Sequence, residues 1–122
     1  MGKAPLSPAL DMGAMVFVSG QVGIDPSSGE VVGADAAGQT RQALRNMEAL
    51  LKEAGLGLEH VVKTTVFVVH ADDFETMNNV YREFFRPPYP CRSTVGVVLP
   101  NPALLVEIEA IALRGSLPER AP

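Results

Sequence analysis

Two hydrophobic periods alternate along the chain: apolar residues at every second position mark strands, and spacings of three and four mark helices. Residues 15–24, "MVFVSGQVGI", read as a strand interrupted at Gly20. "DPSSGE" then has turn chemistry, and Val31 and Val32 open a short returning strand. Leu44, Met47, Leu50, Leu51 and Ala54 recur at helical spacing, which predicts a helix over 35–54 that stops at Gly55. Residues 60–70, "HVVKTTVFVVH", are nearly continuous in apolarity and suit a central strand covered on both faces. Phe74, Met77, Tyr81, Phe84 and Phe85 mark a second helix. Asp72 and Glu75 resemble a capping box at its start, and "RPPYP" ends it. Residues 93–99 and 104–113 are two further strands, joined by the turn "PNPA".

This order predicts an α+β fold with two helices on one face of a mixed, mainly antiparallel sheet. No third helix is available for the opposite face, although Val occupies both faces of the 60–70 strand. That face is therefore expected to pack against other subunits, because soluble monomers rarely leave so large an apolar patch open.

Composition narrows the function classes. A chain of 122 residues with 47% apolar content fits one domain with a real core. No run approaches the roughly 18 apolar residues of a membrane span. The first 13 residues lack the apolar region of about 7–15 residues that a secretory signal needs, so a cytoplasmic protein is expected. A net charge of −4 without a basic cluster argues against binding nucleic-acid backbones. The absence of Trp and 6% aromatic content argue against base stacking. A small anion held at one arginine remains compatible with this charge. Cys91 is the only cysteine, and His60 and His70 bracket one strand, so no zinc-ligand set emerges.

The last strand carries the most unusual chemistry. Glu107 and Glu109 share a face with Ile111 and Leu113, while Val106, Ile108, Ala110 and Ala112 occupy the other. A hairpin centred between Leu99 and Pro100 sets Arg92 opposite Glu107 and Thr94 opposite Leu105. The pair is then either a surface ion pair worth about 0–1 kcal/mol or part of a site; pattern alone leaves both open. Cys91 beside Arg92 is either an activated thiolate or an incidental thiol. Ser19 lacks a nucleophile elbow, and "SGQVG" is not a phosphate-binding fingerprint. Gly20 marks a β-bulge or a close approach of backbone to a ligand. Asn78 reads as a solvated helix residue.

Five blocks, "VFVSGQVGIDPSSGEVV", "QTRQALRNMEALLKEAG", "VVKTTVFV", "FETMNNVYREFF" and "CRSTVGVVLPNPALLVEIEAIAL", together resemble the RidA/YjgF family of reactive imine and enamine deaminases. The C-terminal block is the most specific, and the resemblance covers nearly the whole chain. It implies a single RidA-like domain over 1–122, a chorismate-mutase-like fold, and a homotrimer with a central barrel. Ligand clefts would lie between subunits. It also implies residue roles. Arg92 receives the substrate carboxylate, a job that suits a planar, bidentate guanidinium. Glu107 holds and activates water. Ser19 and Gly20 line the pocket, and Thr94 stands where Cys is common and contacts ligand through its backbone. Asn78 matches the asparagine of the family's second helix. Leu6, in "PLSPAL", stands at the position of a family tyrosine and brings neither hydroxyl nor ring.

The implied reaction is hydrolysis of 2-imino or enamine acids, such as 2-iminobutanoate and 2-iminopropanoate, to 2-keto acids and ammonia. No metal or organic cofactor is expected. Two alternatives follow from the altered pocket wall: a trimeric small-ligand-binding or chaperone-like protein, and a specialised deaminase acting on a compound such as 2-aminomuconate. A ribonuclease activity, proposed for some relatives, fits poorly with the acidic charge and the absence of a basic stripe.

Overall fold

The computed structural model describes residues 4–115, so the ends of the 1–122 span lie outside the described residues. In chain order the elements are β1 (Ala9–Asp11), β2 (Met15–Val22), α1 (Ala36–Glu53), β3 (Val61–Val68), α2 (Phe74–Phe84), β4 (Cys91–Gly96) and β5 (Val106–Leu113). The predicted helix over 35–54 is therefore present nearly to the residue. Asp35 caps it by accepting the Gly38 N–H at 2.6 Å. Gly55, at φ +78°, ends it, as only glycine adopts that conformation without strain. Leu44, Met47 and Leu51 are fully buried, each contributing about 1.5–3 kcal/mol relative to exposure.

The start of α2 differs from expectation. The Asp72–Glu75 capping box does not form: Asp73 is the N-cap, and its side chain makes no capping hydrogen bond. A 3₁₀ turn over Ala71–Asp73 comes first, with the Asp73 N–H donating to the His70 carbonyl at 2.9 Å. Asp72 therefore sits inside that turn rather than at the helix boundary. The returning strand after "DPSSGE" is reduced to a single bridge between Ile24 and Val31.

The sheet order is β1-β2-β5-β3-β4, antiparallel throughout except for the parallel β3–β4 pair. This corrects the expected hairpin. β4 and β5 are not neighbours, because the connection from 97 to 105 passes over the end of β3. There the Val97 N–H donates to the Val68 carbonyl at 3.0 Å, and the Val69 N–H to the Leu105 carbonyl at 3.1 Å. Arg92 consequently lies beside Thr64 rather than Glu107, and Thr94 beside Val66 rather than Leu105. Glu107 lies between Val22 and Phe67. The middle strand is β5, with β3 next to it.

Both helices cover one face of the sheet. Val16, Val66, Ile108 and Ala112 pack there with Leu44, Met47 and Met77. Tyr81 is buried in the same layer, its hydroxyl 2.9 Å from that of Thr64. Within this chain the helices cover one face of β3, and the face expected to pack against other subunits is open. On the open face, Phe17 is 40% exposed and Thr65 and Phe67 are half-buried.

One buried side chain ties the layers to the long connection. Gln39 Nε2 donates to the Gly33 and Ala103 carbonyls at 2.9 Å, and its Oε1 accepts the Leu105 N–H at 2.7 Å. Among the described residues, no helix is long and apolar enough to cross a membrane.

Candidate functional site

Residues of the candidate site fall into two groups on opposite sides of the sheet. The first group forms around edge strand β4. Thr64, the partner of Arg92, is buried under α2, so Arg92 shares that face and reaches over the helix's aromatic rings. Its Cζ lies 4.9 Å from the Tyr81 ring centroid and 5.9 Å from that of Phe74. Such stacking is worth about 0.5–2 kcal/mol and holds the guanidinium plane while leaving its N–H edge available. Among the described residues, no carboxylate pairs with Arg92.

A cavity of about 220 Å³ opens here, lined by Asn78, Tyr81, Arg82, Tyr89, Pro90 and Arg92. Asn78 is not the solvated residue that pattern suggested. Among the described residues its Oδ1 is buried without a hydrogen-bond partner, a state that costs about 1–3 kcal/mol unless a ligand supplies a donor. Burial pushes the Tyr81 phenol up, against the Thr64 hydrogen bond and the charge of Arg92, so the hydroxyl stays neutral beside the cation. Thr94 follows on the same face and lines an adjoining hollow with Phe74 and Val97.

The second group lies on the open face, where a bulge sets the geometry. The β2–β5 register shifts between Val18 and Gln21. Phe17 faces Ile111 before it, and Val22 faces Glu107 after it, so Ser19 and Gly20 both turn to the open face. A Cβ at Gly20 would collide with the Glu107 carboxylate. The bulge reading of this glycine is thus realised, and the group that closely approaches its backbone is the Glu107 carboxylate. Burial, and then the neighbouring charge of Glu109, raise the Glu107 carboxyl above its ordinary value. Ser19 Oγ donates to the Ser7 carbonyl at 2.6 Å, and the Ser19 N–H to the Pro8 carbonyl at 2.9 Å. These bonds hold the N-terminal segment against the open face, beside Leu6, which is 64% exposed.

Arg92, Asn78 and Thr94 therefore come together, as do Ser19, Gly20 and Glu107 with the Leu6 segment. The sheet separates the two groups within this chain. Sequence reasoning missed Arg82 and Tyr89 as cavity residues and gave Tyr81 only a core role. Asn78, Tyr81 and Arg82 stand three and four positions apart, one stripe of α2, and that spacing was available to find them. Cys91 is exposed at the start of β4. His60 is engaged elsewhere, its Nδ1 accepting the Gly57 N–H at 3.0 Å. Among the described residues, no group of three or more His, Cys, Asp or Glu side chains could hold a metal ion.

A two-helix, five-stranded α+β fold with these residues on β2, β4, β5 and α2 defines a family. The chain belongs to the RidA/YjgF family, and the family model described as Endoribonuclease L-PSP matches residues 2–114. The human 2-iminobutanoate/2-iminopropanoate deaminase is 40% identical over 113 residues, covering 93% of this chain and 82% of that protein. A RutC family protein of Pyrococcus horikoshii is 44% identical over 110 residues, covering 90% and 87%. Among solved structures, the E. coli YjgF gene product superposes with a TM-score of 0.86 at 43% identity, covering 93% of this chain and 91% of that one. E. coli TdcF, solved with bound serine, gives 0.87 at 42% identity with the same coverage.

Proposed function

We propose that the protein is a deaminase that hydrolyses 2-imino acids, such as 2-iminobutanoate and 2-iminopropanoate, to 2-keto acids and ammonia. Arg92 carries this reading: a guanidinium stacked on Tyr81, unpaired with any carboxylate among the described residues, in a metabolite-sized cavity beside Asn78. Family membership and relatives bearing the deaminase name support it. TdcF, a relative that binds serine, supports a small amino-acid-like carboxylate as the ligand.

In this mechanism Arg92 binds both carboxylate oxygens and fixes C2 of the iminium against a water held by Glu107. Ionised Glu107 takes a proton from the water as its oxygen bonds to C2. The proton passes to nitrogen, the C–N bond breaks and the carbonyl forms. R–C(=NH₂⁺)–COO⁻ and H₂O give R–CO–COO⁻ and NH₄⁺, so the step is balanced without an oxidant or reductant.

Because the two groups are on opposite sides of the sheet, the mechanism needs a second copy of the chain. The β4 edge of one protomer would meet the open face of a neighbour, in a homotrimer with its clefts between subunits. The exposed Phe17 on that face favours such burial. Leu6 would then form part of the cleft wall.

The test generates 2-iminobutanoate or 2-iminopropanoate with an amino-acid oxidase and follows imine loss. Wild type is expected to accelerate loss over buffer, with Glu107→Gln slower by about 10²–10⁴-fold. Arg92→Ala is expected to lose most of its kcat/KM. No acceleration with any of several imines would end the deaminase reading in favour of a ligand-binding protein. An Arg92→Ala variant as fast as wild type would remove the anchor role.

A further inference from the structure

The cavity beside Arg92 has a second cation. Arg82, four residues after Asn78 on α2, lines the same space. Its Nη1 donates to the Asn79 Oδ1 at 2.8 Å, a bond to a neutral acceptor that orients the guanidinium without neutralising it. Among the described residues, neither Arg82 nor Arg92 is paired with a carboxylate, whereas Arg41 and Arg114 are. Two arginines with no carboxylate partner among the described residues line a cavity of about 220 Å³, a charge balance that suits a ligand with two negative charges.

We propose that the cavity selects dicarboxylic 2-imino acids, with Arg92 binding the carboxylate next to the imine and Arg82 the carboxylate at the far end. This rests on the reading of Arg92 as the substrate anchor and adds a specificity residue to it. The half of the substrate that distinguishes a diacid from an ordinary aliphatic imino acid would lie against Arg82 and Tyr89, away from the reacting carbon. The hydrolysis itself is the one written above.

Binding separates the specificity from the chemistry. Calorimetric titration compares 2-oxoglutarate with 2-oxopentanoate, which has the same carbon chain without the second carboxylate. Wild type is expected to bind the diacid about five- to tenfold more tightly, the scale of one charge-assisted hydrogen-bonded contact in a partly open site. Arg82 is exposed, so its replacement leaves the core intact. Arg82→Gln is expected to bring the ratio near one, and Arg82→Lys to keep part of it. Equal affinities in wild type, no binding of either acid, or an unchanged ratio in Arg82→Gln would each overturn the inference. In a kinetic arm, imines made from glutamate and norvaline are compared, and the same ratio in kcat/KM is expected to fall in Arg82→Gln. A diacid preference in binding with no acceleration of any imine would sink the deaminase reading alone. Acceleration of both imines with equal kcat/KM and equal affinities would sink the diacid inference alone.

Discussion

In the proposed mechanism Glu107 has to be ionised to act as a base, yet its surroundings favour the protonated form. Burial is the larger cause, and the negative charge of Glu109, two residues along the same face, is the second. Both act in one direction, so Glu107 holds its proton to a higher pH than the usual 4.5. The linkage has the matching sign: the stability associated with this carboxyl is fully present below its unfolded pKa and is lost as pH rises through the raised folded value. Activity should accordingly climb with pH through a midpoint above 4.5. Glu109→Gln removes the second cause while leaving Glu107 in place, so the midpoint of the kcat/KM profile is expected to move down. A midpoint that stays or rises in Glu109→Gln would mean that another group sets the acid limb. At this scale strand alternation was sufficient to place both glutamates on one face. It was insufficient to rank them, because the bulge at Ser19 and Gly20 decides which carboxylate meets the glycine backbone.

The elements were legible where the signal is local. Leu44, Met47 and Leu51 repeat at helical spacing, Gly55 marks a left-handed stop, and the apolar alternation of 106–113 survives in β5. Strand order was not legible, because alternation reports which face a residue occupies and nothing about which strand lies alongside. A turn such as "PNPA" reads as a hairpin until the length of the 97–105 connection is weighed against the width of one intervening strand. β1, of three residues, is too short to carry a period. Gln39 shows what such reading omits: a polar residue within a helix that proves to be wholly buried. Its amide holds the connection that delivers β5, and Glu107 with it, to α1. Gln39→Leu would leave two carbonyls and the Leu105 N–H without partners, at an expected cost of about 2–4 kcal/mol. A lower urea midpoint at unchanged m-value is the expected result. Undiminished stability would mean that the three groups find other partners and that the clamp is dispensable.

At the scale of the whole molecule, one protomer carries both halves of the proposed site and joins neither to the other. Arg92 lies on the helix side of edge strand β4, and Glu107 lies on the open face of β5, with β3 between the two strands. The family resemblance was the only part of the sequence that pointed to clefts between subunits. Periodicity supplied the open apolar face and the expectation that other subunits pack on it, but no cleft and no residues for one. If each cleft takes Arg92 from one protomer and Glu107 from the next, two inactive variants should repair each other. An Arg92→Ala protomer supplies an intact Glu107, and a Glu107→Gln protomer supplies an intact Arg92. Refolding an equal mixture into a closed ring gives an intact cleft wherever the two meet in the right order, which is about a quarter of clefts under random assembly. Roughly that fraction of wild-type activity is expected to return, while each variant refolded alone stays inactive. A site built within one protomer would give no recovery, because every cleft would then carry one defect or the other. Native mass spectrometry of the same mixture measures whether mixed rings formed. Mixed rings without recovery would therefore mean that no cleft takes Arg92 from one protomer and Glu107 from the next, and would end the shared-cleft mechanism.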